Sequence, residues 1–230
     1  MASQMQTKEP MLDACSRSAL LILNEIDDLV QLGYRDHKND ILQALIKLSK
    51  DDSILNLMFK RFSDMVGLRD MIGAQCFLLH SGKSYYARLN FWLPRTEMFE
   101  SISKRIENYF SIGVLHNHSF DFFTVGVHGP GYRSQFFECS SDPDGCNVGD
   151  YLPLVKASEI QLSRQTAIFV PKTFTYHVQY EPESYSISLN IIPKVLDSVG
   201  SARNTQLIAD PVDFKVTRKF TEERQATFDV

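Results

Sequence analysis

GVLHNHSFDFF, residues 113–123, sets two histidines one residue apart inside a run of Val, Leu and Phe. On a strand, residues two apart point to the same face. His116 and His118 therefore project side by side, with Phe120 beyond them. Two neutral imidazoles aimed one way in apolar surroundings form half of a metal-ligand pattern, which a third ligand and a suitable scaffold would complete.

The surrounding sequence reads as that scaffold. From about residue 74 the apolar period is two. AQCFLLH is one strand, SGK a turn and SYYARLNFWLP a longer strand. Strands resume with SIGVLHNHSF, DFFTVGV, YRSQFFEC, EIQLS, TAIFVP, YHVQY and SYSISLNI, separated at several points by HGPG, SSDPDG and EPES. Short strands with turn signals between them predict an antiparallel β-barrel or jelly roll. Between them, RTEMFESISKRIENYF predicts one helix with Met98, Ile102 and Ile106 facing inward.

Upstream, residues 11 to about 70 read as helical. Leu12, Cys15, Ala19, Ile22, Ile26 and Leu29 form one stripe that Gly33 ends, and Ile41, Leu45 and Leu48 form a second. Asp51, Asp52 and Ser53 are cap candidates for a third, which carries Leu55, Met58, Phe62 and Met65. The organisation expected is a helical extension over 1–73 packed on the barrel, a β domain over 74–192, and a mixed, polar tail over 193–230 with no assignment. The helical stripes pack on the rest of the chain or on a second subunit, so a homodimer is one expectation.

Composition excludes several function classes. The 230 residues are 43% hydrophobic and 23% charged, with a net charge of −4 and no block of Lys or Arg, which makes nucleic acid and anionic membranes poor partners. No run approaches the ~18 apolar residues of a membrane span. The N-terminal MASQMQTKEP lacks a signal-peptide core, and the four cysteines form no CxxC pair, so a reducing cytoplasm is the expected setting. Half of the 16 phenylalanines fall between residues 91 and 137, an aromatic-rich core or pocket.

The third histidine is His177, in FVPKTFTYHVQY. With it the chain resembles the cupin superfamily over roughly residues 74–192. Gly113, His116, His118 and Gly126 match the first cupin motif loosely, and Pro171 with His177 matches the second with one extra residue. The glutamate that many cupins carry soon after the second histidine is replaced here by Phe122 and Phe123. The nearest acid, Asp121, points away from the histidines if the strand is regular, and a bulge would bring it back as a fourth ligand. The three-histidine set that remains resembles that of the cupin thiol dioxygenases, and implies Fe(II) with dioxygen as co-substrate, or zinc or manganese as alternatives. His37, His80 and His128 read as solvated residues at turns.

SYYARLNFWLP adds the substrate side. Alternation puts Tyr86, Arg88, Asn90 and Trp92 on one face and Tyr85, Ala87, Leu89, Phe91 and Leu93 on the other. The second face is wholly apolar and packs on the helices, so Arg88 turns toward the histidines, where an unpaired guanidinium is costly. Its partner is either a substrate carboxylate, held with Arg's two-pronged geometry, or an internal Asp or Glu. The thiol dioxygenases similarly place a carboxylate-binding Arg upstream of the first motif, but their Cys–Tyr crosslink and Ser-x-His-x-Tyr motif have no counterpart here. Oxygenation dependent on 2-oxoglutarate fits less well, because position 118 is His and no Arg or Lys follows His177 before Lys194.

The function expected is a mononuclear non-haem iron oxygenase of cupin type acting on a small, carboxylate-bearing molecule, with Arg88 and Tyr86 holding its polar end. The alternatives are a zinc- or manganese-dependent isomerase or lyase and a non-catalytic ligand-binding cupin.

Overall fold

The computed structural model describes residues 12–64, 75–94, 112–194 and 205–221. Three helices come first: α1 Leu12–Gly33, α2 Lys38–Lys50 and α3 Ser53–Asp64. In α1 the residues at three- and four-residue steps, Ala19, Ile22, Leu23, Ile26 and Val30, are the buried ones. Gly33 closes the helix at φ +118°, a left-handed conformation that costs glycine little. Asp51 Oδ1 accepts the Ser53 N–H at 2.9 Å and so occupies a free donor at the start of α3.

The strands among the described residues are β1 Cys76–Ser81, β2 Tyr85–Trp92, β3 Leu115–Asn117, β4 Phe122–His128, β5 Arg133–Cys139, β6 Leu154–Gln161, β7 Ala167–Val170, β8 Thr175–Tyr180, β9 Ser186–Pro193, β10 Thr205–Ala209 and β11 Val216–Thr221. They form two sheets, in the orders β1-β2-β9-β4-β7 and β11-β10-β3-β8-β5-β6, with every paired ladder antiparallel. The fold is mainly β, jelly-roll-like, with helices at its N-terminal end. Where the sequence predicts a barrel, the structure has two open sheets. Each ladder runs within one sheet, and the sheets meet through side chains: Phe136 of β5 packs on Phe122 and Val170 of β4 and β7, and Trp92 of β2 stacks on Tyr132 at 3.8 Å between centroids.

The helices cover the outer face of the first sheet. Leu23, Ile26, Leu45 and Leu48 share one core with Ala87 and Leu89 of β2, Phe123 and Val125 of β4, and Leu189 and Ile191 of β9. Their strand neighbours Arg88, Thr124 and Asn190 are thereby turned to the inside of the sandwich. A second core, with Leu115, Tyr176 and Val178, lies under the 140–152 segment and the β10–β11 hairpin on the outer face of the other sheet.

Of the tail that the sequence left unplaced, residues 205–221 add β10 and β11 to this second sheet. β10 pairs with β3, Ile208 opposite His116 and Ala209 opposite Leu115. His80 differs from its expected turn position: it lies in β1, half-buried beside the Tyr85 ring. The helix expected over RTEMFESISKRIENYF and the stripe position Met65 lie outside the described residues. Among the described residues, no helix is long and apolar enough to cross a membrane.

Candidate metal centre

β3 and β8 run antiparallel with His116 directly opposite His177. His118 stands one residue past the end of β3 and reaches back to the same point. One nitrogen from each ring falls within a 4.8 Å group, and no other cluster of this kind occurs among the described residues. His177 Nε2 lies 3.0 Å from His118 Nε2 and 3.2 Å from His116 Nε2.

The backbone holds this arrangement from behind. Asn117, between the two histidines and fully buried on the opposite face, donates to Thr173 O at 2.9 Å and Thr205 O at 3.2 Å, and accepts from Leu207 N at 2.6 Å. Thr173, at a left-handed φ of +76°, donates its N–H to His118 O at 2.9 Å. The loop before β8 is thus bonded to both residues 117 and 118, which fixes His118 although it lies beyond the ladder.

Tautomer chemistry then favours a cation. His116 Nδ1 lies 2.9 Å from Val114 O, and a carbonyl only accepts, so Nδ1 carries the proton and Nε2 presents its lone pair. Burial first, and the neighbouring rings and Arg88 second, push His118 well below the usual imidazole range. Burial and His116 do the same to His177. Burial also lowers His116, with Arg88 adding to the shift against the Val114 hydrogen bond. All three rings are therefore neutral near pH 7. A single N–H on His177 cannot properly serve both neighbours, so lone pairs face one another at 3.0–3.2 Å. Nitrogens ~2.0–2.2 Å from a shared ion, at angles between right and tetrahedral, sit roughly 2.8–3.6 Å apart. The donor set fits a metal.

The walls are aromatic. Phe120 and Phe122 lie 5.0 and 4.8 Å from the His118 ring, and Phe136 lies 5.4 Å from His177. Asp121 is turned away from the centre. Its Oδ2 accepts from Tyr34 Oη at 2.6 Å and Arg35 Nη2 at 2.8 Å, and its Oδ1 from Lys172 N at 2.6 Å. It ties the α1–α2 corner to the two loops that carry His118 and Pro171. His37 is on the surface, 3.3 Å from Asp40.

Arg88 faces the histidines, as the alternation predicts, and its charge reaches both His116 and His118. Its guanidinium lies over the Phe120 ring at 5.3 Å, and its buried Nε has no hydrogen-bond partner. Among the described residues no carboxylate pairs with it. Tyr86 shares that strand face, but its ring lies under Lys194 Nζ at 4.2 Å. Gly126 is required where β4 passes the 162–163 turn, because a Cβ there would lie 2.2 Å from Ser163 O.

One of the two open antiparallel sheets carries the histidines, on and just beyond the adjoining strands β3 and β8. The fold is jelly-roll-like. No family model matches the chain, and no curated protein does. Among solved structures it is similar to the hydroquinone 1,2-dioxygenase PnpCD (12% identity, 54% of this chain and 66% of that one, TM-score 0.35). It is also similar to a cupin domain from Bordetella pertussis Tohama I (16%, 54% and 95%, TM-score 0.30) and to the DMSP lyase DddQ from Ruegeria pomeroyi DSS-3 (10%, 59% and 57%, TM-score 0.29). Likenesses this distant carry no argument about chemistry, which rests on the site itself.

Proposed function

We propose that this cupin-like protein is a mononuclear non-haem iron oxygenase acting on a small carboxylate-bearing molecule. The observation that carries this reading is the pairing of three converging neutral imidazoles with an unpaired guanidinium inside one aromatic-walled space. Among the described residues, the only charges felt by the three histidines are one another and Arg88. No carboxylate stands beside the histidines among the described residues, and oxidation at the metal is the chemistry proposed.

His116, His118 and His177 would hold the iron, which supplies one-electron chemistry toward dioxygen with coordination positions left for substrate. The chain does the rest. The Val114 carbonyl fixes the His116 tautomer. Arg88 binds the carboxylate, with Tyr86 two residues along the same face. Phe120, Phe122 and Phe136 keep water from the reacting atoms. Zinc, which has no redox chemistry, would leave the Lewis-acid chemistry only in the same three-nitrogen set, and manganese would support Lewis-acid chemistry as well.

The test needs no known substrate. Protein loaded anaerobically with ferrous iron and exposed to nitric oxide, a surrogate for dioxygen, should give a high-spin iron–nitrosyl signal by electron paramagnetic resonance. His177→Ala should abolish it. Iron that binds at one per chain yet gives no nitrosyl signal would remove the oxygenase reading.

A further inference from the structure

Beyond the three histidines the interior of the sandwich is polar, and several of its polar atoms have no partner among the described residues. Register places Arg88, Asn190 and Thr124 side by side across β2, β9 and β4. All three turn inward, because Leu89, Leu189, Ile191, Phe123 and Val125 beside them belong to the core under the helices. On the facing sheet, Gln179 lies opposite Ser134. Gln179 is two residues from His177, and Ser134 two from Phe136, so both share the inner face with the metal group.

Thr124, Ser134, Asn190 and Gln179 are 1%, 2%, 6% and 7% exposed. Even so, Ser134 Oγ, Asn190 Oδ1 and Gln179 Oε1, like Arg88 Nε, have no hydrogen-bond partner among the described residues, while Thr124 Oγ1 has the Tyr132 hydroxyl beside it. The Tyr132 hydroxyl faces Thr124 and Ser188 from one sheet and Gln179 from the other, which puts these groups around one space. A buried polar atom without a partner costs about 1–3 kcal/mol. Four of them on facing strands of one interior form an arrangement that a ligand repays.

We infer that this row is the specificity surface of the site, and that it selects a small carboxylate bearing further hydroxyl, amine or amide groups over an apolar or aromatic acid. The inference rests on the reading above and narrows it. The geometry sets the size: Thr124 is two positions beyond Phe122, whose ring touches His118, and two residues along a strand advance about 6.6 Å. That distance spans a chain of about three to six carbons. The chemistry sets the pattern. Arg88 donates to the carboxylate, the two amide oxygens require donors from the ligand, and the two hydroxyls serve either role. Phe120, Phe122 and Phe136 confine the apolar portion to the metal end.

Titration calorimetry of matched pairs decides the matter: glycerate against propionate, malate against succinate, glutamate against glutarate, gluconate against hexanoate. Both apoprotein and metal-loaded protein are used, so that direct chelation of the metal is separated from the protein's own contribution. At least one polar member should bind tenfold or more tightly than its partner in both forms. Ser134→Ala and Thr124→Val should each shrink that ratio severalfold; in Ser134→Ala the melting temperature should stay within about 2 °C of the parent, since that hydroxyl has no partner to lose. No pair reaching tenfold in apoprotein, or a ratio that survives both substitutions, would overturn the inference. Failure to bind metal, by contrast, would overturn the oxygenase reading and leave the apoprotein comparison standing.

Discussion

Asp121 is the residue at which sequence and site could most easily be confused, and its replacement by alanine separates the two readings. The carboxylate accepts from Tyr34 Oη and Lys172 N, both at 2.6 Å, and from Arg35 Nη2 at 2.8 Å. Arg35 is 64% exposed, so its share is that of a surface pair, about 0–1 kcal/mol. The other two are hydrogen bonds to a charged acceptor, worth about 1.5–3 kcal/mol each. Asp121→Ala should therefore cost about 3–6 kcal/mol. At about 2–4 °C per kcal/mol for a chain of this size, the melting temperature falls by about 6–24 °C. Metal content per folded chain should not change, because the carboxylate points at helix and loop and not at the histidines. Scanning calorimetry and elemental analysis on the same preparation read both quantities. A variant that melts normally but has lost its metal would refute the assignment and make Asp121 a ligand.

The same geometry gives further expectations. Burial raises the Asp121 pKa, but hydrogen bonds from Tyr34, Lys172 and Arg35 outweigh it and hold it below the usual carboxylate range; Asp27, held by Ser84 and Lys83, behaves alike. The stability both contribute is present above the unfolded carboxylate pKa of about 4 and is lost as pH falls through the lower folded values. Melts of Asp121→Asn and Asp27→Asn should accordingly converge on the parent in acid. Asn117→Ala removes two donated bonds and one accepted bond from a fully buried position and should cost about 3 kcal/mol or more, with metal affinity falling because β10 and the 173 loop are released. Arg88→Ala should leave melting temperature and metal content nearly intact while weakening binding of small carboxylates at least tenfold in calorimetry, and Arg88→Lys should restore only part. Deleting residues 1–73 uncovers Ala87, Leu89, Phe123 and Leu189, and exposing the larger of these costs about 1.5–3 kcal/mol each; light scattering should show aggregation.

Periodicity and motif spacing made much of this legible. The alternation of SYYARLNFWLP separates the helix-facing residues from Arg88 correctly, because a strand with one face on helices and one inside a sandwich has two different environments. His116, His118 and His177 could be named because a metal site is written in residue type and spacing. The tail could not be read: TQLIA and VTRKFT are short strands whose meaning lies in a partner, β3, ninety residues away. Nor did sequence place His118 past the end of its strand, since that depends on the Asn117 and Thr173 bonds from a distant loop. The polar row behind the metal was also missed. Thr124, Ser134, Asn190 and Gln179 are ordinary strand residues until register aligns them, although Asn and Gln between apolar neighbours in SLNII and HVQY were the available signal.

The central claim is that three histidines hold one redox-active metal, and metal content tests it most directly. Protein produced in iron-supplemented medium and purified without oxygen should contain about one iron per chain by elemental analysis. Single alanine substitutions at His116, His118 or His177 should lower it severalfold, and His37→Ala should not change it. Equal iron in His177→Ala and the parent, or no bound metal in the parent after anaerobic loading, would contradict the account.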